Sequence, residues 1–198
     1  CAGWPKRMWL AWRGRARAWW SPTPCARRTL PWRVAFPPWL VSELVHSRGM
    51  AATCELIGSL ADPAPGYVAT NAMRHEGEDA RALLATAGLV PRPAGVPAAF
   101  ELGAPAGLAS SGLVQQVDVV PADLSAQVIA WLVTPTRDAS LLEVGQGRAT
   151  KTLLMQSVAR MRGITLTDTA VELEPFKARL AVERIERVGC GATCRTIV

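Results

Sequence analysis

Apolar positions recur along this chain in short blocks, at helical spacing in some and packed into brief strand-like runs in others. Pro37-Pro38 leads into Trp39, Leu40, Val41, Leu44 and Val45, one face of a short helix, and Met50, Cys54, Leu56, Ile57 and Leu60 mark a second. Asp62-Pro63-Ala64-Pro65-Gly66 breaks the pattern before a strand from Tyr67 to Asn71. A helix is predicted over residues 78–87, favoured at its start by Glu78 and Asp79 and stopped by Gly88. The Pro/Gly/Ala-rich stretch 91–112 follows, with strand-like pieces around Phe100-Glu101-Leu102 and Leu113-Val114.

From Asp123 the rhythm becomes regular. Asp123 reads as the N-cap of a helix whose apolar face is Leu124, Val128, Ile129 and Leu132, ending before Pro135. A strand over 140–145 runs through a glycine-containing turn into a helix at 150–162, with Leu154, Val158 and Met161 facing inward and Gly163 ending it. A second strand is predicted within Ile164 to Leu173. A third helix starts at Pro175, carries Phe176, Leu180, Ile185 and Val188, and stops at Gly189. Helix, strand, helix, strand, helix is the opening of a parallel, doubly wound sheet. The fold class is therefore α/β: a small α+β module over 34–118, then the first strands of a parallel sheet over 119–198.

Residues 1–33 stand apart. They hold six of the eight tryptophans and eight basic side chains (Lys6, Arg7, Arg13, Arg15, Arg17, Arg27, Arg28 and Arg33) without one acid, and no helical or strand period orders them. Arg interleaved with Trp can stack on bases and bind phosphates, but the segment reads rather as a disordered tail or as a GC-rich stretch translated out of frame. The remaining 14 basic and 16 acidic groups leave residues 34–198 with a net charge of −2, so the high pI belongs to the N-terminal sixth.

Five irregularly spaced cysteines (Cys1, Cys25, Cys54, Cys190 and Cys194) do not suggest a disulfide framework, and reduced thiols fit better. Cys190 and Cys194 form a C-x3-C pair with neither His46 nor His75 nearby in sequence, so no metal site is expected. No apolar run reaches membrane-spanning length, and the expected location is cytoplasmic.

The stretch from Leu142 to Thr152, Leu-Glu-Val-Gly-Gln-Gly-Arg-Ala-Thr-Lys-Thr, carries the candidate chemistry. It reads as a strand ending in a carboxylate, a small-residue turn and a helix start. Such a turn aims backbone N–H groups and the positive end of the helix dipole at an anionic group, and its glycines permit close approach. A phosphate-binding P-loop is not met, because Lys151 follows Thr150 and the spacing from Gly145 is wrong. The dinucleotide motif G-x-G-x-x-G lacks its third glycine, where Thr150 stands. Arg74 and His75 are exposed-loop candidates for RNA contact whose simpler reading is solvation. The helix with Arg179, Glu183, Arg184, Glu186 and Arg187 reads as a salt-bridged solvent face, and Met155 and Met161 as core fillers.

Four stretches together resemble the Sun/Fmu-type (RsmB/NOP family) rRNA cytosine-5 methyltransferases, in the family's order. Pro38-Trp39-Leu40-Val41 is similar to P-x-W-L-V, Tyr67 to Asn71 to an R-V-N strand, and Asp123 to Gln127 to D-x-A-S-Q. Leu142 to Thr152 aligns without gaps to L-D-x-C-A-A-P-G-G-K-T, the family's methyl-donor loop. Only the acid, the lysine and the threonine correspond directly; Gly145-Gln146-Gly147-Arg148-Ala149-Thr150 replaces C-A-A-P-G-G, as in a divergent E-x-G-x-G-R-x-T-K-T branch. The likeness covers about four-fifths of this chain and a third to a half of a full-length member. The NusB-like helical domain expected ahead of Phe36 is not recognisable.

The resemblance implies S-adenosylmethionine as cofactor, RNA (rRNA) as substrate, and a monomer when the protein is complete. By that likeness Glu143, Gly145, Gln146, Gly147, Arg148, Ala149, Thr150 and Lys151 hold the amino-acid and ribose end of the cofactor. An acid at the end of the second strand accepts the ribose hydroxyls. Glu172, in Val-Glu-Leu-Glu-Pro-Phe-Lys, resembles V-D-x-S-P-x-K and is preferred; Asp168 has the commoner spacing and competes. The family's two cysteines, one attacking carbon 6 of cytosine and one releasing product, belong to later P-C and T-C contexts. Thr193-Cys194 is too early to be the second, so no catalytic residue is assigned. The chain reads as a methyltransferase fragment expected to fold poorly and aggregate by itself; the alternative is a non-catalytic RNA-binding protein on a degenerate scaffold.

Overall fold

The computed structural model describes residues 36–60, 64–75 and 78–198, so the basic Trp-rich segment 1–33 lies outside the described residues. The chain divides into two compact units, Cys1–Ala64 and Pro65–Val198. In the first, α1 (Pro38–Arg48) and α2 (Met50–Leu60) form a helical hairpin. Proline at the first helical position starts α1, and Gly49 at φ +81° turns the chain between the helices. The Gly49 N–H closes on the Val45 carbonyl at 2.9 Å, and the Thr53 hydroxyl donates back to Gly49 O at 2.8 Å.

The second unit contains two sheets. Strands β1 (Gly66–Thr70), β2 (Pro91–Pro93), β3 (Ala99–Leu102) and β4 (Val119–Pro121) form an antiparallel sheet in the order β2-β3-β1-β4. Helix α3 (Glu78–Thr86) lies between β1 and β2 in sequence. Strands β5 (Ala139–Val144), β6 (Leu166–Val171) and β7 (Cys194–Ile197) form a parallel sheet in the order β5-β6-β7. Its crossovers are α5 (Thr150–Arg162) and α6 (Pro175–Arg187), and α4 (Leu124–Val133) joins the two sheets. The fold is mixed α/β, with one antiparallel and one parallel sheet.

Strand alternation sorts the antiparallel sheet's residues onto two faces. Val68, opposite Phe100, packs with Leu84, Leu89, Leu102, Leu113 and Val119. Ala69, opposite Val120, points the other way, into a core with Leu153, Leu154, Met155 and Leu166. That second core continues through Ala181, Ile185 and Cys194 to the parallel sheet. Helix α5 is therefore shared between both sheets, and every residue from Thr152 to Ala159 is buried. A helix buried all round cannot be purely apolar when strand ends abut it. Gln156 Nε2 donates to Leu166 O at 2.9 Å, and Ser157 Oγ accepts the Ala72 N–H at 2.9 Å. These two polar side chains complete backbone groups that burial would otherwise leave unpaired.

Several expectations change in three dimensions. The boundary expected at 118/119 crosses a continuous core, since Val117 and Val120 share the cluster of Leu153, and the division falls after Ala64. Leu113-Val114 lies in turns, because Leu113 O is taken by the Asp118 N–H at 2.9 Å, and the strand comes later at β4. Asp123 precedes α4 but makes no side-chain cap; its exposed carboxylate stays in solvent. Helix α4 buries Gln127 and Ala130, leaving Ile129 and Leu132 exposed, because it packs its small-residue side on α5. Met161 and Phe176 are exposed as well, one past the shared stretch of α5 and one in the first turn of α6. Arg184 and Arg187, expected in a salt-bridged face, donate to the carbonyls of Arg148 and Gln115.

Arg74 and His75 are not simply solvated. Both reach Asp118 Oδ1, Arg74 Nε at 2.7 Å and His75 Nε2 at 2.8 Å, which ties the β1–α3 loop to the start of β4. Among the described residues no helix is long and apolar enough to cross a membrane.

Candidate functional site

The strand–turn–helix read from residues 142–152 is present. Strand β5 ends at Val144, α5 begins at Thr150, and β5 runs parallel to β6 with Glu143 opposite Ala170. Gly145, Gly147 and Ala149 have φ of +81°, +65° and +59°, while Gln146 and Arg148 between them do not. Alternating backbone hand of this kind curls the chain into a concave turn that gathers N–H groups. A Cβ added to Gly145 or Gly147 would meet nothing within 4 Å, so their glycine character answers to backbone conformation and leaves open space above the turn. Ala149 adopts the left-handed conformation without that freedom and is fully buried, a local strain that the surrounding core holds in place.

The turn is tied to the next strand. The N–H groups of Gly145 and Gln146 both donate to Val171 O, at 2.9 and 3.1 Å, and the Ala149 N–H closes on Gln146 O at 3.3 Å. The Gly147 N–H donates to Glu172 Oε2 at 2.6 Å, and Glu172 Oε1 accepts the Glu174 N–H at 2.9 Å. Those two backbone bonds lower the Glu172 carboxyl below its ordinary range, with Lys177 adding to the effect. Glu172 therefore stands ionised just past the C-terminal end of β6, beside the glycine turn.

Asp168 is placed differently. It lies in mid-strand, opposite Leu141 on β5 and Cys194 on β7, 1% exposed. Both of its carboxylate oxygens are buried without a hydrogen-bond partner. Burial, and then the charge of Glu143, raise its pKa to about 6. Of the two competing acids, Glu172 reaches the turn and Asp168 lies beneath it.

Glu143, half-buried, lies on the same face of the sheet as Asp168. Burial raises its pKa, opposed by the Thr152 hydroxyl, which donates to Oε2 at 2.5 Å, and by Lys151. Thr150 and Lys151 form the first turn of α5, with Lys151 exposed. Arg148 is exposed too, and its carbonyl accepts Arg184 Nη1 at 2.6 Å. The candidate residues thus converge on one end of the parallel sheet, with Asp168 set below the others. Cys194 starts β7 buried, its thiol pushed up to about 12 chiefly by burial, so it is not a thiolate nucleophile. No group of three or more metal-ligating side chains occurs among the described residues.

Gln146, expected among the residues holding the cofactor, turns its side chain to Thr152 and to Thr196, a residue without any local signal in the sequence. The 4%-exposed Gln146 amide donates from Nε2 to Thr152 Oγ1 at 3.2 Å and accepts from Thr196 Oγ1 at 2.9 Å. Thr196 lies 50 residues away, on a strand whose neighbours were not predictable from local pattern.

No family model matches the chain, and no curated protein matches it. Among solved structures, the crystal structure of PH0851 is similar, with a TM-score of 0.72 at 15% identity. The likeness covers 90% of this chain and 40% of that one, so this chain spans about two-fifths of its length. At that identity the likeness concerns the fold alone.

Proposed function

We propose that this chain carries the donor-binding part of an S-adenosylmethionine-dependent RNA methyltransferase of the Sun/Fmu (RsmB/NOP) kind, built on a Rossmann-like parallel sheet and acting on cytosine carbon 5 of rRNA. The observation that carries the reading is Glu172, ionised at the end of β6 and bonded to the Gly147 N–H in the turn that closes β5. A carboxylate there accepts a pair of vicinal hydroxyls with lone pairs that its two backbone bonds leave available. The open space above Gly145 and Gly147 admits a ligand close to the backbone. The N-terminus of α5 and Lys151 favour a carboxylate on that ligand.

When bound, S-adenosylmethionine supplies a methyl group on a positively charged sulfur. The residues of this chain would bind and orient it: Glu172 through the ribose, and the turn from Gly145 to Thr150 with Lys151 through the amino-acid end. Glu143 shapes that turn from below through Thr152. Nucleophilic attack on the base is not assigned to any residue here, in keeping with the buried, protonated Cys194.

Calorimetric titration of the 198-residue chain with S-adenosylhomocysteine tests the proposal. Saturable one-to-one binding is expected, abolished by Glu172→Ala and retained by Asp168→Ala. A folded wild-type chain that takes up no S-adenosylhomocysteine would sink it. Loss of binding with Asp168→Ala but not Glu172→Ala would move the ribose contact to Asp168.

A further inference from the structure

Gln146 stands where the donor-loop pattern of the resembling family has alanine, yet it is one of the most completely bonded residues in this turn. Its N–H donates to Val171 O at 3.1 Å and its carbonyl accepts the Ala149 N–H at 3.3 Å. Its side-chain amide spans Thr152 on α5 and Thr196 on β7, at 3.2 and 2.9 Å. Thr152 in turn donates to Glu143 Oε2 at 2.5 Å. One buried side chain therefore joins the end of β5, the first turn of α5 and the far strand β7, passing behind the turn that Glu172 holds from the front.

The turn needs such a brace. Three of its five residues, 145, 147 and 149, have positive φ, and one of them is alanine, whose left-handed conformation is disfavoured by itself. A concave turn with many accessible conformations must be ordered when a ligand arrives, and that ordering weakens binding. A turn already fixed at both ends avoids the loss.

We infer that Gln146 is a positioning residue for cofactor binding: its amide, held between Thr152 and Thr196, pre-sets the turn from Gly145 to Ala149. It acts through the backbone and touches no reacting atom. The inference rests on the donor-site reading above, and it adds β7 to the machinery of that site through Thr196. A buried amide is tolerated here in place of a small residue. Both ends of the side chain are satisfied, so burial carries no unpaired polar atom.

The test uses the whole chain and S-adenosylhomocysteine as probe, with calorimetry for affinity, thermal melting for stability and amide hydrogen exchange for the turn. Gln146→Met keeps the side-chain length while deleting both bonds, and Thr196→Val deletes one of them. Two lost bonds are expected to weaken binding about tenfold for Gln146→Met, and one about threefold for Thr196→Val. Thr196→Ser, which keeps the hydroxyl, is expected to restore wild-type affinity. The Gln146→Met and Thr196→Val effects should be less than additive in the double variant, because they break the same bridge. Exchange at Gly145 and Ala149 should quicken in Gln146→Met while α6 stays protected.

Wild-type affinity in Gln146→Met, with the wild-type chain binding normally, would overturn the positioning role and leave the donor site standing. So would an affinity loss matched by an equal loss of protection throughout the second unit, since that marks general destabilisation. A folded wild-type chain that does not bind S-adenosylhomocysteine would remove both proposals together.

Discussion

The antiparallel and parallel sheets of the second unit obey different rules of burial. The antiparallel sheet is covered on both faces: Val68 packs in one core and its neighbour Ala69 in another. The parallel sheet has a covered face with Leu141, Leu166, Asp168, Ala170 and Cys194, and an opposite face on which Leu142 is 64% and Val144 79% exposed. Parallel sheets ordinarily bury both faces beneath crossover helices. Here α5 and α6 share one core on the same face, and β5 has a hydrogen-bonded neighbour on one side only. Adjacent apolar side chains on one strand thus have opposite surroundings. What distinguishes Leu142 from Leu141 is tertiary cover, which hydropathy does not report.

That contrast can be broken most severely at the helix the two sheets share. Leu153 is fully buried in the core that reaches both sheets. Leu153→Ala should cost about 3 kcal/mol by lost contacts and cavity formation, and should destabilise both sheets in one transition. Urea unfolding followed separately by near-UV and far-UV signals checks this; two separated transitions would mean that the sheets are independent. Leu142→Ala on the open face should cost less than about 0.5 kcal/mol in the same experiment.

The buried acid on the covered face comes next. Asp168 has its folded-state pKa raised to about 6 from 3.8, so the folded chain holds this proton more tightly than the unfolded one. Its contribution is therefore most favourable below about pH 4, falls as pH rises through 6, and stays low above that. Asp168→Asn removes the charge and should stabilise the chain at pH 7.5 by about 2 kcal/mol, less than the full pKa difference because the neutral amide is itself left without partners. Melting curves from pH 4 to 8 should show the wild-type decline between pH 4 and 6 flattened in the variant. A variant less stable than wild type at pH 7.5 would contradict the burial argument.

Glu172 has the opposite sign. Its carboxyl is lowered by backbone N–H groups of Glu174 and Gly147, so the stability it confers is present above its ordinary value and lost as pH falls. Glu172→Gln should remove that acid-side dependence and weaken S-adenosylhomocysteine binding. The smallest effect belongs to the open face: Val144→Lys should leave the melting temperature unchanged within error while slowing concentration-dependent aggregation, read by light scattering. Faster aggregation would show that this face is not where copies associate.

Much of the second unit could be read from residue order alone. The bounds of α5 and α6 follow from the breakers Gly163 and Gly189 and the helix-starting Pro175; β5 falls one residue earlier than expected, and β6 lies inside the bracket Ile164 to Leu173. The turn at 145–149 is local, so its glycines and flanking acid announced it. The face of α4 did not follow from hydropathy, because Ala130 lets it approach α5 closely and leaves Ile129 and Leu132 outward. Ile185 of α6 and Val188 just past it face the core as expected, while Phe176 is exposed and Ala178 and Ala181 are buried instead. Helix α5 read as one-sided, and its burial on all sides depends on a sheet whose first strand lies some 80 residues earlier.

Residue order by itself determined where α4, α5 and α6 start and stop, because proline and glycine act over a few neighbours, but it did not show β2, β4 or β7. It also determined that an acid and a small-residue turn precede a helix. Only the tertiary structure decided which acid meets that turn: Glu172 and Asp168 differ by four residues, and a strand carries one to its end while leaving the other in its middle. Only it could pair Gln146 with Thr196, for a contact across 50 residues is made by the order of strands in a sheet and by nothing in either neighbourhood.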